Sequence, residues 1–233
     1  MLAIDSKSQA ATIAAAVLFS SACSISSPTL QETRELQTRI GDGGQFEVDA
    51  GAGSLTLIGD ENSDAIHVRA EIYQTSANDD YTLTLNLQDG NRARLVADAD
   101  STFGSSDRID LTITVPETLS VTIVDGSGSI RLEALIGDLN IDDGSGSIRV
   151  SDIQGNVVVE DGSGSIRVTG VSGNVSIDDG SGSISVKDAG GKVSVSDGSG
   201  SIDVDGADDF ELLDDGSGSV STRNIRSRST DQT

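Results

Sequence analysis

The chain has 233 residues, 38 acidic and 15 basic side chains, a net charge of -23, no Trp and 3% aromatic residues. That charge excludes nucleic acid as a partner, because phosphate backbones are gripped by Lys and Arg, and it speaks equally against anionic lipid surfaces. A globular core would normally use more Phe, Tyr and Trp, so the composition suits one domain of ordinary size with a narrow interior.

Residues 10–19 are small and apolar, and Ser20-Ser21-Ala22-Cys23 follows. This is the form of a secretory signal, an apolar run and then small residues at a cleavage point. The run is too short to span a bilayer. The only cysteine stands where a bacterial lipoprotein signal places the residue that receives lipid. Cys23 is therefore the expected lipid attachment point, which makes a membrane a partner through that anchor. The lipobox resemblance is incomplete, because Ser20 stands where Leu is usual and Lys7 is offset by Asp5. Ordinary cleavage that leaves Cys23 unpaired is the alternative. Ser24 after the cysteine, rather than Asp, fits an outer-membrane protein of Gram-negative bacteria, at the surface or on the periplasmic face. Residues 1–23 thus form the signal, and residues 24–34 read as a tether.

From 35 to 124 apolar residues alternate with polar ones, the period of a strand with one buried face. Candidate strands are 45–48, 54–58, 65–72, 81–87, 93–97 and 109–115. Turn signals separate them, among them Gly41-Asp42-Gly43-Gly44, Gly59-Asp60 and Asn78-Asp79-Asp80. Pro116 marks a bend before the strand 119–124. The spacing is irregular, so this part is expected to form longer rungs, some antiparallel, that cap the N-terminal edge.

From 125 to 222 the pentapeptide Asp-Gly-Ser-Gly-Ser recurs six times at intervals of 18 residues, starting at Asp125, Asp143, Asp161, Asp179, Asp197 and Asp215. A fixed period means one structural unit stacked on its neighbours. Each pentapeptide leads into an apolar-x-apolar pair such as Ile148/Val150, and nine residues on comes another such as Val157/Val159. Each unit is thus strand, turn, strand, turn. Apolar residues ahead of the second turn (Leu135, Ile153, Val171, Ala189) are expected beneath the corner. Two short strands enclose no core alone, but stacking at about 4.8 Å per rung pairs the backbones in parallel and buries like residues in ladders. Each fully buried aliphatic side chain stabilises by roughly 1.5–3 kcal/mol. The fold class is all-β, a flattened parallel β-solenoid, right-handed because parallel crossovers almost always are. The fifth unit departs from the pattern. Asp209 replaces the corner Gly, Glu211 falls on an inward position, and Phe210 and Leu212 run out of step until a bulge restores the register. Residues 223–233 are polar, carry Arg223, Arg226 and Arg228, and read as a disordered tail.

Ser54-Leu-Thr-Leu-Ile-Gly59, Leu111-Thr-Ile-Thr-Val-Pro116 and the Asp-Gly-Ser-Gly-Ser-Ile units resemble the bacterial "putative adhesin" family of β-solenoid domains, related to head domains of auto-transporter adhesins. The resemblance spans roughly residues 36–222. The resemblance supplies no catalytic residues. The secretion signal, the repeat architecture and the missing catalytic constellation lead to the expectation of a non-enzymatic envelope or surface module, adhesin-like or structural, with an extracellular glycan or protein as ligand. A periplasmic accessory protein in envelope stress or assembly is the alternative.

The residues themselves offer little catalytic chemistry. His67 is the only neutral-pH base, and the alternation of Ile66 and Val68 turns it outward. Calcium is the sharper alternative. Stacking brings Asp125, Asp143, Asp161, Asp179, Asp197 and Asp215 into one column, and clustered carboxylates attract hard cations. The repeat shares a nine-residue half-period with calcium-binding β-rolls. Those rolls, however, place Asp two residues before the apolar residue, where this chain has Gly128 and Gly146. Capping of each turn by its own Asp, through amides two residues on, explains every copy without a metal. No cofactor is expected on that reading, with a calcium-stabilised roll as the alternative.

Overall fold

A computed structural model of the chain describes residues 27–76, 80–88, 91–99 and 106–228. The expected signal and Cys23 lie outside those residues. The described residues contain strands and turns and no helix. In chain order the strands are β1 (Thr29–Arg39), β2 (Gln45–Asp60), β3 (Ala65–Gln74), β4 (Tyr81–Gln88), β5 (Arg92–Ala99), β6 (Arg108–Pro116), β7 (Ser120–Leu135), β8 (Leu139–Asp143), β9 (Gly146–Ile153), β10 (Val157–Asp161), β11 (Gly164–Val171), β12 (Val175–Asp179), β13 (Gly182–Ala189), β14 (Lys192–Asp197), β15 (Gly200–Asp215) and β16 (Gly218–Arg228).

These strands form the two faces of a parallel β-solenoid. One face stacks β8, β10, β12, β14 and the second half of β15 on the first half of β7. The other stacks β9, β11, β13, the first half of β15 and then β16 on the second half of β7. Register is the 18-residue period itself, as in Val157↔Val175 and Ile166↔Ile184. Inward residues of the two faces meet in one continuous core, with Leu132, Val150, Val168, Val186 and Val204 fully buried. Leu135, Ile153, Val171 and Ala189 are buried beneath the second corner as expected.

The N-terminal part is not stacked in chain order. β2 is a complete rung, paired with β7 along both halves. The chain then builds the far side of β2, with β5 and β6 parallel to it, and crosses back to lay down β7. Antiparallel pairs finish this end, β3 on β6, β1 on β3 and β4 on β5.

Three expectations are corrected. Residues 29–34, read as tether, belong to β1, which runs antiparallel to β3. Its largely polar sequence hid it, because Leu36 is its one residue packed against the core. Residues 223–228, read as disordered tail, complete β16. There Ile225 takes the corner position opposite Ala207, and Arg223 pairs with Asp203 at 3.0 Å and Asp205 at 3.5 Å, while Arg226 pairs with Asp208. Glu211 is not inward. β15 pairs Lys192 with Asp209 and Val193 with Phe210, so Glu211 faces outward and meets Lys192 at 2.6 Å. The expected bulge is present. The register skips from Leu212 to Asp214, leaving Leu213 extra and 60% exposed.

One corner takes a left-handed backbone in each rung from β7 onward. The column Ala134, Asp152, Gly170, Asp188, Gly206 and Asn224 has φ between 53° and 85°. An L-residue pays about 1–2 kcal/mol there, and Asp and Asn tolerate it better than Ala. Ala134→Gly should therefore stabilise the chain by about 0.5–1 kcal/mol, read as a higher urea midpoint at unchanged m-value.

Candidate functional site

The repeated pentapeptide forms one narrow edge of the solenoid, and each position in it has a separate task. Asp143, Asp161, Asp179 and Asp197 accept, through Oδ1, the amide N–H of the serine two residues on, at 3.0–3.2 Å. This is the turn cap that the sequence suggested. The first glycine donates its N–H to the carbonyl of the Asp one rung below, as from Gly162 to Asp143 at 2.9 Å. The second glycine donates to the serine carbonyl of the rung above, as from Gly146 to Ser163 at 2.9 Å. The second serine of each copy faces solvent.

The Asp column is more enclosed than a turn cap requires. Asp125, Asp143, Asp161, Asp179 and Asp197 are each no more than 6% exposed, while Asp215 on the last rung is half-buried. Neighbours stand directly in register. In each of the five buried residues Oδ2 is enclosed and meets no hydrogen-bond partner among the described residues. Two ionised carboxylates about 4.8 Å apart repel by roughly 3.5 kcal/mol at an effective dielectric near 20. Burial, aided by Asp143, pushes the Asp125 carboxyl up to about 7 against the lowering effect of the Gly126 amide. Burial likewise lifts Asp143 to about 6, opposed by the Ser145 amide and aided by Asp161. Asp179 rises to about 6 for the same reason, with Asp161 and Asp197 adding to it. Asp161 is also raised by burial, against the amides of Ser163 and Gly162.

The column has a boundary that the sequence reading missed. Ala50-Gly51-Ala52-Gly53-Ser54 in β2 lies in register with Asp125-Gly126-Ser127-Gly128-Ser129. It is a further copy of the turn without its carboxylate, and β5 continues it with Ala97 opposite Ala50. The two glycines and Ser54 at unchanged spacing were the signal. Asp125 therefore has an acidic neighbour on one side and alanine on the other.

The opposite edge carries a second polar ladder. Asn156 receives Asp138 as acceptor for both its backbone N–H (2.8 Å) and its side-chain Nδ2 (3.1 Å). The Asn174 amide donates to Asn156 Oδ1 at 3.0 Å, and the Lys192 amide to Asn174 Oδ1 at 2.9 Å. His67 is exposed on β3, as the alternation required. Among the described residues no group of three or more His, Cys, Asp or Glu side chains is arranged to hold a metal ion. The concavities among the described residues are open grooves over the strand surfaces, such as the one lined by Gln45, Glu47, Arg92, Thr122 and Asn140.

Fold and edge together define a two-faced parallel β-solenoid whose repeated polar residues serve its own turns. The chain belongs to the Toastrack DUF4097 family, which matches residues 45–229. Among solved structures it is similar to a "putative adhesin" from Bacteroides fragilis, at 11% identity over 84% of this chain and 98% of that one, with a TM-score of 0.48. It is also similar to a "putative cell adhesion protein" from Clostridium sporogenes (11% identity, 82% and 99% covered, TM-score 0.38). A third is a "putative lipid binding protein" from Parabacteroides distasonis (17% identity, 82% and 96% covered, TM-score 0.38). No curated protein matches the chain.

Proposed function

We propose that the protein is a non-enzymatic module of a bacterial cell envelope, held to the outer membrane by lipid on Cys23 and acting through its outward faces as an adhesin-like surface for an extracellular glycan or protein. The observation that carries this reading is the outward grid. Arg131, Arg149 and Arg167 stand exposed and in register, beside the serine column of Ser129, Ser147, Ser165, Ser183 and Ser201. Like side chains repeated about every 4.8 Å on a rigid face suit a ligand that is itself repetitive. Each contact is weak, and the fixed spacing makes them act together.

Protease shaving of intact cells, with a tag placed after Thr233, tests the location. Loss of the tag from intact cells is expected. Survival until permeabilisation would place the protein in the periplasm and turn the reading to an envelope accessory role. Cys23→Ser should move the protein from the membrane fraction to the soluble one, and an unchanged distribution would refute the lipid anchor.

A further inference from the structure

We propose that the buried column from Asp125 to Asp197 binds protons as the chain folds, and that carboxyl-to-carboxylate hydrogen bonds run along the stack from rung to rung. Three observations meet here. The carboxyls are buried and in register. Each Oδ1 in the four residues from Asp143 to Asp197 is already engaged by a serine amide. Each Oδ2, from Asp125 onward, is enclosed and unpartnered among the described residues. An ionised carboxylate only accepts, so two of them facing each other satisfy neither. A proton on one turns it into a donor to the next and removes one charge of the repelling pair. A proton on one carboxyl of a neighbouring pair gives both Oδ2 atoms of that pair a partner without adding an atom heavier than hydrogen.

The groups around the column favour a proton over a neutralising side chain. Asp142 and Asp178 add negative charge beside Asp143 and Asp179, and both raise them. Glu160 and Asp214 occupy the equivalent outward positions on β10 and β15. Toward the N-terminal end lie Ala50 and Ala97, with Asp98 beside Gly51 on β5. Of the cations on the neighbouring strands, Arg94 on β5 is engaged by Asp49 and Glu47, and Arg108 on β6, beside Ser127 and Gly128, by Asp110. On the opposite face, Arg131, Arg149, Arg167 and Lys187 point to solvent from β7, β9, β11 and β13. On β14, Lys192 pairs with Glu211. The upward shifts of Asp125, Asp143, Asp161 and Asp179 agree with the geometry.

The test is proton release. The full chain is unfolded with urea at pH 6 in weakly buffered solution containing a pH indicator, and the folded chain is examined by infrared spectroscopy at the same pH. We expect release of about one proton or more per chain, since an unfolded Asp is ionised at that pH. The folded protein should also show the C=O stretch of an un-ionised carboxylic acid. Asp143→Asn/Asp161→Asn/Asp179→Asn should lower both signals, and wild-type protein alone decides the matter if that variant fails to fold. Absence of both signals in wild type would overturn the proposal. So would tight binding of calcium at pH 6, with a rise in melting temperature and no proton release, because the column would then be ionised and held by metal.

Discussion

Gly164→Ala is expected to destabilise the chain by more than about 4 kcal/mol, enough to leave it unfolded or aggregated at ordinary temperature. Gly164 has φ of 149°, which residues with a Cβ rarely adopt, and the added carbon would lie 1.6 Å from the carbonyl oxygen of Gly146 and 2.7 Å from its carbon. That obstacle is backbone of the next rung, so no side chain can swing away. Relief requires the rungs to separate, which breaks the donation from Gly146 N–H to the Ser163 carbonyl. Two comparisons isolate the cause. Gly170→Ala also sits at positive φ, 69°, but its Cβ would meet nothing closer than Asp152 Oδ1 at 3.2 Å, so about 1–2 kcal/mol is expected. Ser165→Ala, on the exposed outward column, should fall within about 0.5 kcal/mol. Urea denaturation of the three variants gives the order. If Gly164→Ala ranks with Gly170→Ala, rung spacing is soft and the close approach does not govern the pentapeptide.

The same contact explains how much was legible in the sequence. The six copies of Asp-Gly-Ser-Gly-Ser declared the period, the two strands per rung and the inward ladders, because a stack with glycine-to-carbonyl contact permits little variation at its corner. The N-terminal part obeys the same rule less visibly. Gly51, Gly53 and Ser54 keep the turn, but Ala50 and Ala52 erase the motif, and no local signal tells that β2 lies between β5 and β7. That order is decided by which hydrophobic faces meet, a long-range matter absent from spacing. The start of β1 (29–34) and the end of β16 (223–228) escape the sequence for a related reason. As outermost strands they cover a core on one side only, and their affinity for the stack lies in cross-strand pairs. Tyr81 donates to Glu32 at 2.9 Å, and Arg223 meets Asp203 at 3.0 Å, pairs that no periodicity announces. The Asp column was legible as a column and as turn caps. Its burial was not, because a turn aspartate usually lies in water, and enclosure here follows from how narrow the edge is.

That enclosure sets the second large expected effect, a stability that falls as pH rises from about 4 to about 7. The sign follows from proton counts. The folded Asp125 titrates near 7 and Asp143 and Asp179 near 6, with Asp161 also raised, against about 3.9 for an unfolded Asp. Between those values the folded state holds more protons than the unfolded one, so raising pH favours unfolding. Below about 4 both states are protonated at these sites, and their contribution is flat. A shift of two units corresponds to about 3 kcal/mol per carboxyl as an upper figure, so the column should move stability by several kcal/mol. The net charge of -23 works in the same direction, and a matched pair of variants separates the two causes. Asp143→Asn/Asp179→Asn removes two charges from the column, while Asp142→Asn/Asp178→Asn removes two from the outward face one residue away. The first should flatten the slope strongly and stabilise the fold at pH 8 by about 1–3 kcal/mol. The second should flatten it only slightly, because Asp142 and Asp178 are the smallest of the causes that raise Asp143 and Asp179. An amide can occupy a stack of this spacing, since Asn156 already donates through Nδ2 to Asp138 across one rung of the opposite edge. Equal slopes in the two variants, measured by urea unfolding from pH 4 to 8, would assign the pH dependence to net charge and strip the column of its special standing.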